Sequence, residues 1–273
     1  MPAGMVERSC INPAGVNPSF EHSPKGLGES DGGEQRIGGL DKITLTVIPL
    51  LITSGEYDIR TFVEVAVKAG LSVVAIHTLV RIVRHYYKFP IPEFLAGVID
   101  NPVRRRIQPP DEMAERHGIK PGFQVLEVGP GNGTYTMGIA RKVGSKGKVT
   151  AIDIEPRMID RVKQRALKEG VANVKAKVAD VFNLPFEDGT FDAVSMIAVI
   201  GEIPTPERAL RELCRVLKPD GILATSELLI DPDYPLASTL TRWAEDGGMQ
   251  LRNQAGNFLH YTLIFEKASS KSL

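Results

Sequence analysis

The chain has 273 residues, 42% hydrophobic and 24% charged, with a formal net charge of zero. That length holds one well-cored α/β domain of roughly 150–200 residues plus an appendage, and the neutral balance excludes the overall basic field of a nucleic-acid binder. Two distant cysteines, Cys10 and Cys214, make neither a disulfide framework nor a zinc site, so a reduced, cytoplasmic setting is expected.

Three parts follow in chain order: a polar tail (1–40), an apolar N-terminal region (41–110) and a catalytic domain (111–268). The tail carries eight glycines, four prolines, five acids and three bases, without the apolar stretch of a secretory signal, and is expected to be disordered. The longest uncharged stretches, Ile43 to Gly55 and Ala69 to Val80, are each too short for an ordinary spanning helix.

Arg60 to His85 reads as one helix. Its polar residues Thr61, Glu64, Lys68, Ser72, Thr78, Arg81 and His85 fall near one narrow stripe, which leaves a very wide apolar face. Such a face must be covered by the catalytic domain, by a second copy in a homodimer, or by the interface of a membrane. The basic and aromatic end of the segment (Arg81, Arg84, Tyr86, Tyr87, Lys88) suits headgroup level. Peripheral membrane contact through 60–106 is therefore one expected partner. Arg104-Arg105-Arg106 is a local basic patch and no more.

From Pro121 the pattern alternates. Strands are predicted at Gln124–Val128, Lys148–Ile152, Val174–Val178, Phe191–Met196 and Gly221–Glu227, with helices at Thr134–Val143, Pro156–Glu169 and Pro206–Leu217. This spacing implies a parallel sheet with right-handed crossovers and helices on both faces. A helix (Leu236–Glu245) and two strands (Gln250–Gln254, Leu259–Glu266) follow, the last pair fitting an antiparallel hairpin at the sheet edge.

The stretch Val125-Leu126-Glu127-Val128-Gly129-Pro130-Gly131-Asn132-Gly133-Thr134 is a strand, a glycine turn and a helix start. Glycines there permit a sharp turn and close approach of a ligand to the backbone, while the helix N-terminus offers unpaired N–H groups. Its spacing departs from the dinucleotide fingerprint: the third glycine falls at Gly133, one position early. Glu127 lies two residues before the first glycine, where a carboxylate repels a pyrophosphate but suits an ammonium. A cofactor with a sulfonium and an amino-acid end fits better than NAD. Asp153, twenty residues beyond Gly133, stands where an acid takes ribose hydroxyls. Asp180 ends the third strand and can accept from an adenine amine, with Val181 and Phe182 against the ring.

Residues 121–227 resemble the class I methyltransferases, and within them the ubiquinone/menaquinone C-methyltransferase branch. Further words that carry the resemblance are Ala151-Ile152-Asp153-Ile154-Glu155-Pro156, Leu184-Pro185-Phe186, Phe191-Asp192-Ala193-Val194, and the run from Ala209 to Gly221. The resemblance implies a Rossmann-like, seven-stranded α/β sheet, mostly parallel with an antiparallel last strand, plus the N-terminal helical extension. It implies S-adenosyl-L-methionine as methyl donor. The expected cofactor set is Glu127, Gly129, Gly131, Gly133, Asp153, Ile154, Asp180 and Val181.

Where many such enzymes carry a histidine pair after the fourth strand, this chain reads Ile200-Gly201-Glu202-Ile203-Pro204, so their acceptor site does not carry over. Methyl transfer from a sulfonium is an in-line displacement governed by proximity, and an enolisable or hydroxylic acceptor also needs a base. Glu202 and Asp231 are the candidates, with Asp233 and Tyr234 nearby; Glu202 can equally cap the next helix, and Asp231-Pro232 can be a plain turn. The five histidines are scattered, so no metal is expected. His260 reads as structural. No Asn/Asp-Pro-Pro-Tyr box follows strand four, which disfavours nucleic-acid adenine, and no nucleic-acid partner is expected. The lid must come from 86–115 (Tyr86, Phe89, Phe94, Gln108). An apolar lid beside an apolar helix points to a lipophilic acceptor, a quinone precursor or a lipid. An NAD(P)-type oxidoreductase and a non-catalytic cofactor-binding scaffold are the competing readings.

Overall fold

The computed structural model describes residues 59–87 and 101–268. The expected tail, the Ile43–Gly55 stretch, and Phe89 and Phe94 of the expected lid lie outside the described residues.

Among the described residues, three helices precede the sheet: α1 (Ile59–Tyr86), α2 (Pro102–Ile107) and α3 (Pro110–Arg116). α2 starts where the Asn101 side chain accepts from Arg104 N, and both short helices place proline in the first turn, where a missing N–H costs nothing. Then come β1 (Gln124–Val128), α4 (Thr134–Val143), β2 (Lys148–Asp153), α5 (Pro156–Lys168), β3 (Val174–Val178) and β4 (Phe191–Ile197). A 3₁₀ turn (Ile200–Glu202), α6 (Pro206–Val216), β5 (Leu217–Leu228), α7 (Ala237–Asp246), β6 (Met249–Gly256) and β7 (His260–Lys267) complete the order.

The seven strands form one sheet in the order β3-β2-β1-β4-β5-β7-β6. Pairings from β3 to β5 are parallel, and β7 runs antiparallel to both β5 and β6. Buried strands alternate two faces. Leu126, Val128, Val194, Met196 and Leu223 point to the side covered by α6 and α7, where Leu210, Leu213 and Leu240 meet them. Val125, Val149, Ala193 and Ile222 point the other way, onto Ala114 of α3 and Ile139, Ala140 and Val143 of α4. Each fully buried aliphatic side chain contributes about 1.5–3 kcal/mol, so this double cover fixes the register of the central strands.

Two local departures from the pattern are informative. The Lys218-Pro219-Asp220-Gly221 sequence, which reads as a turn before the strand, lies inside β5: Phe191 pairs with Leu217 and Ala193 with Ile222, so six residues of β5 oppose three of β4. The hairpin between β6 and β7 is closed by Asn257, whose N donates to His260 O and whose Oδ1 accepts from Leu259 N and His260 N.

α1 is exposed along nearly its whole length, with Phe62, Leu71, Val74, Ile76 and Leu79 all more than 60% exposed. Two of its hydroxyls are satisfied within the helix, Ser72 Oγ donating to Lys68 O and Thr78 Oγ1 to Val74 O, both at 2.8 Å. Although no single uncharged stretch reaches spanning length, Ile59–Arg84 taken as one 26-residue helix is long and apolar enough to cross a membrane by length and composition. The sequence reading counted uncharged runs and so missed that the Lys68–Glu64 pair interrupts the apolar surface without ending it.

Candidate active site

The carboxyl ends of β1, β2, β4 and β5 open on a cavity of about 400 Å³. It sits over the β1/β4 boundary, where strand order reverses and adjacent crossovers diverge.

At one end is the glycine loop. Gly129, at φ +66°, donates its N–H to Ile152 O, and a Cβ there would lie 2.6 Å from Val199 Cγ2. Gly131, at φ +54°, faces open space and lines the cavity. Gly133 behaves differently from the other two. It is the N-cap of α4, it does not line the cavity, and a Cβ would press within 3.3 Å of Val162 Cα. Its smallness serves the packing of α5 on the loop. The loop is braced by Asn132, whose Oδ1 accepts from Thr134 N and Oγ1, and by Arg165, whose Nη1 donates to Asn132 O at 3.1 Å. The sequence reading missed Arg165, which lies one helix further along the chain.

Asp153 and Asp180 stand at the ends of β2 and after β3, and both line the cavity with Ile154 and Val181. Each also caps its own loop, Asp153 Oδ1 accepting from Glu155 N and Asp180 Oδ1 from Phe182 N, both at 2.9 Å. A carboxylate has a second oxygen and further lone pairs, so capping and ligand binding coexist. Burial raises the Asp153 pKa, with the Glu155 charge adding to it against two backbone N–H bonds.

Glu127 lies behind the loop, is not in the cavity wall, and is 4% exposed. Burial pushes its pKa up to about 7, opposed by the Thr136 hydroxyl and reinforced by Asp153. Its Oε2 has no hydrogen-bond partner. A buried carboxyl oxygen without a donor is costly, and a cationic amine arriving at the loop relieves that cost. The open space at Gly131 and this orphaned oxygen both fit an amino-acid-bearing cofactor.

The far end of the cavity is acidic and lined by Glu202, Glu227, Asp231 and Asp233, with Arg104 the one cation among the described residues there. Glu202 closes the 3₁₀ turn and is half-buried; α6 has Thr205, not Glu202, as its N-cap residue. Gly201 permits that turn to lie against the 231–233 loop, since a Cβ would fall 1.9 Å from Asp233 O. Just before it, Ala198 adopts φ +56°, a left-handed conformation rare outside glycine, and lines the cavity.

Asp231 forms an ion pair with Arg104, and Asp233 forms one with Arg84 of α1. Burial raises the Asp231 pKa to about 6, with Arg104 pulling it down and the Asp233 charge pushing it up. Arg81 adds donors to Leu229 O and Tyr234 O, at 3.2 and 3.0 Å. Three arginines that precede residue 111 thus hold the 229–234 loop, and one of them lines the cavity. Gln108 supports Arg104 by accepting from its Nη1 at 3.2 Å, whereas Tyr86 is exposed and away from the cavity. His260 begins β7 opposite Leu228, outside the cavity wall.

Glu227 escaped the sequence reading. Leu223, Thr225 and Glu227 alternate onto one face of β5, and Glu227 is 1% exposed at the cavity edge. The available signal was a charged residue in the otherwise uncharged stretch from Gly221 to Leu228, all of which is buried. On the opposite face, His117 spans Ser195 Oγ of β4 (Nδ1, 2.9 Å) and Ser226 Oγ of β5 (Nε2, 2.8 Å). Full burial drives the His117 pKa down to about 3, so the ring is neutral and ties two strands together.

Residues 119–262, more than half of the chain, match the family described as a methyltransferase domain. The chain belongs to this methyltransferase family. A ubiquinone/menaquinone biosynthesis C-methyltransferase from Laribacter hongkongensis is 37% identical over 110 residues, covering 40% of this chain and 45% of that protein. A demethylmenaquinone methyltransferase from Staphylococcus aureus is 36% identical over the same shares. The chain spans about half the length of the curated relatives it matches. Among solved structures, a SAM-dependent methyltransferase from Aquifex aeolicus superposes with a TM-score of 0.60 at 25% identity, covering 64% of this chain and 98% of that one. The seven-stranded sheet that carries the glycine loop therefore lies within a methyltransferase domain.

Proposed function

We propose that this methyltransferase transfers the methyl group of S-adenosylmethionine to a small lipophilic acceptor, a quinone precursor or a lipid, at the cytoplasmic surface of a membrane. The observation that carries the reading is the two-ended cavity. One end has the glycine loop with Asp153 and Asp180, and the other has buried ionisable groups held by Arg81 and Arg84 from the end of an apolar helix and by Arg104 of α2.

When bound, the cofactor supplies a methyl group already activated by its sulfonium. Asp153 accepts from ribose hydroxyls, Asp180 and Val181 hold the adenine, and Glu127 accepts from the ammonium through the loop. Glu202 and Asp231 flank the acceptor, and the Arg104 guanidinium compensates any negative charge that develops on it. The apolar walls, including Ile197, Val199 and Ile203, exclude water from the reacting atoms. The similarity to methyltransferases of quinone biosynthesis agrees with such an acceptor.

For the membrane, α1 offers about 39 Å of exposed apolar helix at 1.5 Å per residue. Tyr86 and Tyr87 at its end, and Arg105 and Arg106 on α2, are exposed and suit headgroups. The test is a thermal-shift comparison with S-adenosylhomocysteine, NAD and FAD, followed by incubation of a host lipid extract with labelled donor. Stabilisation by S-adenosylhomocysteine and label in the lipid fraction are expected; stabilisation by NAD alone would sink the reading.

A further inference from the structure

Among the acids at the acceptor end, Glu227 has different surroundings from the rest. Asp231 is bound by Arg104 and Asp233 by Arg84, so each of these carboxylates already has a guanidinium partner. Glu202 lies on a short turn and is only half-buried. Glu227 ends a central strand, and its neighbours Ser226 and Leu228 are pinned to Thr262 and His260 of β7. Its side chain is 1% exposed yet lines the cavity. Among the described residues its carboxyl takes one hydrogen bond, from Thr225 Oγ1 to Oε1 at 3.1 Å, and no ion pair. The carboxyl thus stands at a cavity wall, on a rigid element, with Oε2 taking no hydrogen bond from a described residue.

We propose that Glu227 is the proton acceptor for an ionisable O–H of the methyl acceptor, a phenol or an enol, with Arg104 holding the oxygen that loses the proton. This rests on the methyltransferase reading and assigns the base within it. The O–H bond of the acceptor breaks, its electron pair remains on the acceptor and is delocalised to the nucleophilic atom, and the proton forms a new O–H bond on Glu227. The charge moves from a carboxylate in an apolar setting to an anion beside a guanidinium, so the transfer relieves the burial of the carboxylate. Groups facing Glu227 from the surrounding elements are Asp231, Glu202, Tyr234 and Tyr261, with Arg104 the cation. Burial raises the Glu227 pKa well above the ordinary carboxylate range, and the Asp231 and Glu202 charges raise it further, against Thr225 and Arg104. Its carboxylate is a correspondingly stronger base.

The probe is a 2-alkyl-4-nitrophenol, whose phenolate absorbs in the visible, titrated onto full-length protein saturated with S-adenosylhomocysteine and buffered below the free phenol's pKa. The wild type should bind it as phenolate without releasing a proton to the buffer, because the proton stays on Glu227; calorimetry in two buffers of different ionisation enthalpy reads this. Glu227→Gln is the neutral counterpart of the protonated carboxyl, so it should bind phenolate beside Arg104 but release about one proton for each phenolate formed, with unchanged S-adenosylhomocysteine affinity. Glu245→Gln, at an exposed position of α7, should behave as the wild type. Glu227→Asp, which keeps the carboxylate on a shorter stem, should retain the proton and covers the case in which the glutamine variant does not fold. Equal proton release in wild type and Glu227→Gln, or a wild type that leaves the probe neutral or unbound, overturns the assignment. Absence of S-adenosylhomocysteine binding by the wild type strikes instead at the methyltransferase reading beneath it.

Discussion

Arg104 of α2 and Asp231 of the β5–α7 connection form a buried ion pair across 127 residues of sequence. The pair joins the N-terminal helices to the acceptor end of the cavity. Removing only the cation leaves Asp231 buried with neither a counter-charge nor a partner for Oδ2. Arg104→Met should therefore destabilise the protein by about 3 kcal/mol at pH 8. Asp231 already has its pKa raised, so the variant's carboxyl protonates as pH falls and the deficit relative to wild type should shrink by pH 5. Urea denaturation at the two pH values checks both statements.

The glycine loop separates folding from binding. Gly129→Ala forces a Cβ against Val199 and should cost about 1–3 kcal/mol of stability. Gly131→Ala meets no protein atom, so it should fold with about 1 kcal/mol of backbone strain. Its methyl group would occupy the cradle, and calorimetry should record at least about a tenfold loss of S-adenosylhomocysteine affinity.

Asp153→Ala removes a buried carboxyl whose charged form burial already disfavours. Stability should change little, while S-adenosylhomocysteine affinity falls by roughly 10–100-fold, the worth of charge-assisted hydrogen bonds to ribose hydroxyls. Normal affinity in this variant would refute the ribose assignment.

His117 should make stability depend on pH in one direction. Its folded pKa lies near 3, below the unfolded value near 6.5, so the unfolded chain binds the extra proton between those limits. Its contribution is complete above pH 6.5 and declines toward pH 3, by up to about 1.4 kcal/mol per pH unit. Glu127, with its pKa raised to about 7, works in the opposite sense between 4.5 and 7. The comparison is therefore wild type against His117→Asn: the stability advantage of the wild type should narrow as pH falls. Nitrogen chemical shifts of the ring should report a neutral imidazole at pH 5.

Leu71→Glu and Val74→Glu place charges at positions that touch nothing else in the fold. In a bilayer each should cost about 2–3 kcal/mol, and vesicle sedimentation should show the variants released while the melting of the methyltransferase domain is unchanged. Release from a dimer in sedimentation velocity, without any vesicle binding by the wild type, would show that a second copy covers α1.

The periodic part of this chain is written locally. Gln124–Val128, Thr134–Val143 and Val174–Val178 lie within the bounds that hydrophobic period and turn residues imply, because alternation and helical spacing depend on near neighbours. The glycine loop and the acids at strand ends are legible for the same reason: each sits a fixed step from its own strand. α1 is legible as a helix with a wide apolar face, though its reach as a unit is not apparent when only uncharged runs are counted.

What tertiary structure decided is which strand ends face one another and which distant charges meet. The cavity wall before residue 111, supplied by Arg104, follows no local period, and neither does the bulge that takes Lys218–Gly221 into β5. Gly133 shares a motif with Gly129 and Gly131, yet α5 packing makes it a contact for Val162 rather than part of the wall. Asp231 and Glu227 are both acids near the end of β5 in sequence. Only the arrival of Arg104 distinguishes them, tying one into an ion pair and leaving the other with a single hydrogen bond at the cavity wall. The sequence alone determined the fold and the positions of the glycine loop and of the acids at the strand ends, since those depend on short-range spacing. The acceptor end depends on burial and on charges brought together across more than a hundred residues, which spacing does not encode.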